Sequence, residues 1–262
     1  MSQYQENATI IRFEQLTDSN VRLTLQTEEV AQAAKPGQFV MIRAGKSKDP
    51  LLRRPFSIHQ TSSNGRMQIL FKVTGRGTGL LAHCKEGETL SVFGPLGRGF
   101  RIDPARPACL IGGGMGIAPL LFLAKRICQI KNNTDSDMII LGGRSKGEIE
   151  PLVDDFQFLN IGLMCSTDDG SFGLHGLVTD VMRTLSLSND CIVYSCGPEP
   201  MMKSVAAYCR ELGIECQVSV ESVMACGMGA CLGCTIKAKD DRYVHVCSDG
   251  PVFNAEDLGW NL

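Results

Sequence analysis

Four cysteines near the C-terminus carry the sharpest chemical signal: Cys226, Cys231, Cys234 and Cys247, spaced x4, x2 and x12. Thiolates are soft metal ligands. Three from one short loop and a fourth from a later segment can surround two irons, and this spacing is that of plant-type [2Fe–2S] sites. Gly227, Gly229 and Gly233 let such a loop turn tightly and bring backbone amides toward cluster sulfurs. Two plainer readings stand beside this one. Structural zinc favours two close cysteine pairs joined by a longer segment, which a run of three fits poorly. The thiols can also be simple buried side chains. A [2Fe–2S] centre moves one electron, so the rest of the chain has to supply a route in and a route out.

Upstream, Gly112, Gly113, Gly114 and Gly116 follow an apolar run and precede a helix-like one. Glycines there let a pyrophosphate approach the backbone, and a helix N-terminus offers free amides and the positive end of a dipole. A tight strand-to-helix turn with no ligand explains the same glycines. Cys196, Gly197 and Pro198 end a later strand-like run. Ligands of open α/β sheets sit beyond the carboxyl ends of the strands, so both loops are expected to flank one crevice. The plain alternative is a helix start with proline in its first turn. In the N-terminal part, Arg54, Pro55, Phe56 and Ser57 combine a phosphate-pairing guanidinium, a stiffened turn and a hydroxyl. An exposed arginine beside a strand is the bland reading. Gly77 and Thr78 lie in GRGTG at 75–79, which reads as an amide-rich phosphate loop or as a flexible hairpin turn.

These groups need elements to hold them. Val21, Leu23 and Leu25 alternate with polar residues, as do Met67, Ile69, Phe71 and Val73, the pattern of half-buried strands. Turn residues separate such runs: Lys35-Pro36-Gly37, Ser63-Asn64-Gly65 and Gly94-Pro95-Leu96-Gly97. Residues 1–101 are therefore expected to form a small antiparallel β-barrel. Across 102–221 the rhythm changes. Apolar runs at 109–111, 138–141, 163–166, 192–195 and 217–220 alternate with helix-length segments, which implies an α/β domain with a doubly wound parallel sheet. Residues 222–262 are too short for a core of their own and are expected to be a small module stapled by the cluster.

Composition narrows the function classes. The chain has 262 residues, 44% hydrophobic and 21% charged, with net charge −2. That supports ordinary globular domains and no basic surface for nucleic acid or an anionic membrane. One uncharged run, 107–124, reaches membrane-span length, but glycines and prolines interrupt its middle, so strand, turn and helix are expected there. No signal peptide is legible at the start. With the remaining cysteines read as reduced thiols, Cys109 and Cys128 among them, a cytoplasmic location is expected.

Taken in order, the RPFS, GRGTG, glycine and CGP motifs resemble the ferredoxin–NADP reductase superfamily, whose barrel binds FAD and whose α/β domain binds a nicotinamide nucleotide. The appended cysteine loop narrows this. With Glu221-Ser222-Val223-Met224-Ala225 before it and Asp249-Gly250-Pro251-Val252-Phe253 after it, the chain is similar to the electron-transfer subunits of type B dihydroorotate dehydrogenase. The resemblance implies that Arg54, Pro55, Phe56, Ser57, Leu70, Phe71, Lys72, Gly77 and Thr78 contact FAD, and that Cys226, Cys231, Cys234 and Cys247 hold the cluster. It implies a partner subunit, an FMN-containing dihydroorotate dehydrogenase, in a heterotetramer of two of each chain serving pyrimidine (UMP) biosynthesis. Electrons would pass from FMN through [2Fe–2S] and FAD to NAD+, FAD standing between because nicotinamide exchanges electron pairs and the cluster single electrons. No catalytic acid–base residue is expected in this chain. His59, beside the flavin motif, reads as a strand-end residue. Related subunits occur in NADH-dependent ferredoxin:NADP oxidoreductases and sulfhydrogenases, so an NAD(P)H:ferredoxin-type reductase subunit is the alternative. A flavin-free redox sensor is a third reading.

NAD is expected over NADP. Ferredoxin–NADP reductases carry a Ser-Arg pair for the 2′-phosphate where this chain reads Ser166-Thr167-Asp168-Asp169. Carboxylates accept a hydrogen bond from a ribose 2′-OH and repel a phosphate. A solvated turn explains the acids equally, and Arg144 is a counterweight.

Overall fold

The computed structural model describes residues 2–45 and 49–260. Its N-terminal part is a closed barrel of β1 (Tyr4–Gln15), β2 (Asn20–Gln26), β3 (Phe39–Ile42), β4 (Arg54–Thr61), β5 (Arg66–Lys72) and β6 (Thr89–Leu96), joined in the order β1-β2-β5-β4-β3-β6. The alternation read from sequence is the barrel interior: Val21 pairs with Phe71, Leu23 with Ile69 and Leu25 with Met67, and all six are buried. Two short helices interrupt the strands, α1 (Glu29–Ala33) and α2 (Arg76–Leu81). The GRGTG stretch is thus the start of a helix, not an open loop. Thr78 Oγ1 accepts from the amides of Thr74 and Gly75 at 3.0 and 3.1 Å, which satisfies donors that a helix start leaves free. Gly94, Pro95 and Leu96 lie inside β6 instead of forming a turn.

The second part is a sheet of β7 (Ala108–Gly113), β8 (Met138–Gly143), β9 (Gly162–Thr167), β10 (Leu174–His175), β11 (Ile192–Cys196), β12 (Glu215–Ser219) and, from the chain end, β15 (Val252–Asn254). Its order is β10-β9-β8-β7-β11-β12-β15, parallel except for β15, which runs antiparallel to β12. Helices α3 (Ala118–Ile130) and α4 (Lys146–Val153) cover one face over Leu110, Ile139 and Leu141. Helices α5 (Val178–Thr184) and α6 (Glu199–Leu212) cover the other over Cys109, Ile111, Ile140 and Val193. Burial on both faces explains why these strands read as unbroken apolar runs. The uncharged run 107–124 is β7, a turn and the start of α3, and no helix among the described residues is long and apolar enough to cross a membrane. The sheet order reverses direction between β7 and β11, which opens a crevice at their carboxyl ends.

The cysteine segment is held by more than its thiols. Its hairpin of β13 (Thr235–Lys237) and β14 (Tyr243–His245) leads to β15, and the Val220 amide donates to Pro251 O at 2.9 Å. Cys234, Val246 and Cys247 share a small core with Phe39, Met41 and Leu96 of the barrel. The segment therefore folds as an addition to both domains, because a strand edge and an apolar barrel end are there to receive it.

Candidate redox site

Strands β4 and β5 pair at Ile58↔Ile69, Gln60↔Gln68 and Thr61↔Met67, and then part. The segments 54–57 and 70–72 line the two sides of the opening. Arg54 is braced there: its Nη1 donates to Leu52 O at 2.8 Å, and a Cβ on Gly77 would stand 2.9 Å from its Nε. Arg54 and the Gly77–Thr78 turn are thus brought together, as a pyrophosphate site requires. Pro55 and Phe56 pair with Met41 and Val40, and Ser57 with Phe39. The Phe56 and Phe71 rings meet at 5.3 Å inside the barrel, and Leu70 is buried against the α/β domain. Side chains of Phe56, Leu70 and Phe71 are therefore committed to the cores, and what they offer a flavin is main chain. Unpaired strand edges, a guanidinium and free helix-start amides suit a flavin dinucleotide.

The second site is a crevice of about 370 Å³ at the switch point. Gly113, Gly114, Asp168 and Pro198 line it, together with Gly143, Arg144, Glu148, Ser166, Leu177 and Met201. The glycines divide by role. Gly114 adopts φ +52 with open space where a Cβ would point, whereas a Cβ on Gly116 would stand 2.3 Å from Cys196 O. Gly112 packs against Leu120, Ile117 and Leu141. Gly112 and Gly116 are packing glycines that hold the two loops together, and they are not lining residues. Cys196 is buried beneath the crevice floor, and burial pushes its thiol up to about 12. Gly197 is wedged between Met201 and Gly113. The Ser166 hydroxyl on the wall is buried and has no partner among the described residues, an orphan that a sugar hydroxyl can satisfy. Asp169 differs from the sequence expectation: its carboxylate accepts from the Ser171 amide at 3.0 Å and hydroxyl at 2.6 Å, so only Asp168 lines the crevice.

The cysteines stand two and two. The Cys231 amide donates to Cys226 Sγ and the Cys247 amide to Cys234 Sγ, each at 3.4 Å. No three His, Cys, Asp or Glu side chains among the described residues gather around one point as a single ion would need. Two pairs suit two irons with two thiolates each, and suit a mononuclear zinc poorly. Amides aim at the sulfurs: Gly229 to Cys247 at 3.1 Å, Met228 and Cys231 to Cys226 at 3.4 Å, and Cys247 to Cys234 at 3.4 Å. Burial opposes ionisation of Cys226, but these amides pull its thiol down to about 6. Burial and the neighbouring Cys234 push Cys247 up to about 12. Leu232 holds a left-handed backbone, φ +59, a conformation costing about 1–2 kcal/mol for a residue with a Cβ.

Sequence reading missed the groups that join the domains. His59 is buried, not a strand-end residue: its Nδ1–H donates to Ala118 O at 2.6 Å and its Nε2 lies 3.4 Å from Asp155 Oδ2. Arg22 of the barrel pairs with Asp155 and, at 3.0 Å twice, with Glu14. Lys72 of β5 reaches Glu148 of α4 at 3.6 Å. Glu148 was legible only as the acid of a Ser-x-x-Glu helix start.

Comparison with known proteins agrees with this division. Residues 7–100 match an oxidoreductase FAD-binding domain, residues 110–207 an oxidoreductase NAD-binding domain, and residues 221–259 the iron–sulfur cluster binding domain of dihydroorotate dehydrogenase B. The electron transfer subunit of dihydroorotate dehydrogenase B (NAD(+)) from Geobacillus thermodenitrificans is 38% identical, over 97% of this chain and 98% of its own. That from Fusobacterium nucleatum is 37% identical over the same shares, 97% and 98%. A solved structure described as an NADH-dependent reduced ferredoxin-NADP oxidoreductase superposes with TM-score 0.87 and 32% identity, covering 98% of this chain and 91% of that one. The chain thus carries FAD-, NAD- and [2Fe–2S]-binding domains and belongs to the family of dihydroorotate dehydrogenase B electron transfer subunits.

Proposed function

We propose that this chain takes electrons from an FMN-containing dihydroorotate dehydrogenase subunit, through [2Fe–2S] and FAD, to NAD+, in the cytoplasmic synthesis of pyrimidines. The observation that carries the reading is the contact between the three sites. The cysteine loop seats Gly227 on Met41 and Leu96 of the barrel, and the flavin opening touches the nucleotide crevice through Lys72 and Glu148. When bound, FAD exchanges electrons singly or in pairs, the cluster singly, and NAD+ as a hydride.

The protein's part is orientation and exclusion of water. Arg54, Gly77 and Thr78 hold the flavin pyrophosphate, and the parted edges of β4 and β5 offer main-chain donors and acceptors. Gly113, Gly114 and Pro198 receive the dinucleotide, and Asp168 and Ser166 take its ribose hydroxyls. Cys226, Cys231, Cys234 and Cys247 would hold the cluster, with amides set on Cys226, Cys234 and Cys247. The Arg22–Asp155–His59 contacts fix the barrel against the sheet, so that flavin and nicotinamide meet in one geometry.

The partner reading rests on an apolar surface beside the cysteines. Val223, Met228, Leu232 and Tyr243 are 86%, 50%, 56% and 68% exposed. Exposed apolar side chains on the cysteine segment favour a lasting subunit contact over a diffusing carrier, which charged surfaces serve better. Two copies of each chain is the assembly proposed. The test is to mix the purified chain with the FMN subunit from the same source. Complex formation and dihydroorotate-dependent NAD+ reduction are expected, and Leu232→Asp should weaken the complex. A chain that forms no such complex, but couples NADH oxidation to ferredoxin, would favour the second reading that the 32% identical ferredoxin-NADP oxidoreductase structure supports.

A further inference from the structure

NADP differs from NAD by one ribose 2′-phosphate, so discrimination is a question of charge in the crevice. Its charged lining residues are Arg144, Glu148 and Asp168. Among the described residues, Arg144 is the one lining cation that could receive a phosphate. Its Nε and Nη2 each donate to the Glu148 carboxylate at 3.2 Å. Glu148 belongs to the first turn of α4, three residues after Ser145. There the Arg144 backbone amide also donates to its Oε2, at 2.9 Å. The carboxylate is therefore fixed by main chain and largely sheltered, its side chain 20% exposed against 73% for Arg144.

We infer that Glu148 is a specificity-determining residue that turns this crevice away from 2′-phosphorylated nucleotides. The inference rests on the reading of the crevice as the NAD site. An exposed ion pair is weak, and a phosphate could draw the guanidinium off. The backbone-held carboxylate would remain. An arriving dianion then gains Arg144 but faces the lining carboxylates Glu148 and Asp168 together, with Lys72 offsetting part of the Glu148 charge from outside the lining. Lys72, 3.6 Å away, would stay on Glu148. A ribose 2′-OH meets no such opposition and can donate to Asp168. The discrimination is built by repulsion as much as by attraction.

The test uses calorimetric binding of ADP-ribose and 2′-phospho-ADP-ribose to the FAD-loaded chain, which needs no turnover. Wild type should prefer ADP-ribose. Glu148→Gln keeps the size and the amide contact but removes the charge and loosens the guanidinium. It should shift the affinity ratio toward the phosphorylated probe by about tenfold, the scale of one charge-assisted contact. Adding Arg144→Ala should remove the part of that gain that the freed guanidinium supplies and leave the part due to lost repulsion, a partition that a merely structural role for Glu148 would not produce. Glu148→Asp, which cannot span both the amide and the guanidinium, should shift the ratio in the same direction by less. An unchanged ratio in folded, flavin-bound Glu148→Gln overturns the inference. Wild type that binds neither probe overturns the reading of the crevice itself, and the inference with it.

Discussion

Gly227 of the cysteine loop lies directly on Met41 of barrel strand β3: a Cβ there would stand 2.6 Å from Met41 Cγ, and the residue holds φ +75. Both facts require glycine, and together they set how closely the cysteine loop packs on the barrel.

Gly227→Ala should therefore push the loop off the barrel. The left-handed backbone alone costs about 1–2 kcal/mol, which lowers the melting midpoint by roughly 2–4 °C per kcal/mol in a chain of this size. Stopped-flow absorbance should show flavin reduction by NADH retained and the following bleaching of the cluster slowed.

Cys231→Ser removes the exposed sulfur of the Cys226–Cys231 pair. The [2Fe–2S] signal in electron paramagnetic resonance and visible spectra should be lost or degraded, while NADH still reduces FAD. Loss of both activities would mean that the sites are not modular. Tightly bound zinc in anaerobically purified wild type would refute the cluster assignment.

Arg54→Ala takes away the guanidinium braced over Gly77. A charge-assisted phosphate contact is worth roughly 1.5–3 kcal/mol. Flavin affinity, read by fluorescence during dilution, should fall at least tenfold. Unchanged occupancy would remove Arg54 from the flavin site.

Asp168 and Asp169 should behave differently. Asp168→Ala should lower the NADH over NADPH preference in kcat/KM about tenfold with one artificial acceptor, the scale of a lost charge-assisted contact. Asp169→Ala should leave that preference alone, since its carboxylate serves Ser171. Equal effects would show that the turn as a whole, and not the Asp168 carboxylate, sets the preference.

Asp155 links pH to the join between the domains. Burial works to raise its pKa, but the His59 contact, Arg22 and Lys125 outweigh it and hold the carboxyl below its usual 3.8. A depressed acid stabilises the fold above its unfolded pKa, and that contribution fades as pH falls through the lower folded value. Asp155→Asn should melt several degrees below wild type from pH 5 to 8. The difference should close as pH drops below about 4. A gap that is constant with pH would mean that packing, not charge, carries the link.

The parts of this protein legible in its sequence are those written locally. Thiol spacing within a single loop, strand alternation from Val21 to Leu25 and from Met67 to Phe71, and glycines between a strand and a helix each depend on neighbours a few residues away. They were enough for the three-part architecture. Tertiary structure decided what depends on distant partners. Gly112 and Gly116 turn out to be packing residues because Leu120 and the Cys196 backbone lie against them. Gly77 is committed to a close approach because the Arg54 side chain from β4 lies against it. Asp169 leaves the crevice because Ser171 captures it, His59 is buried because Ala118 and Asp155 arrive from the other domain, and Arg144 is spoken for because α4 begins with Glu148 beneath it. In each case the residue type was visible but its partner was not, and a polar side chain takes its role from the group that satisfies it.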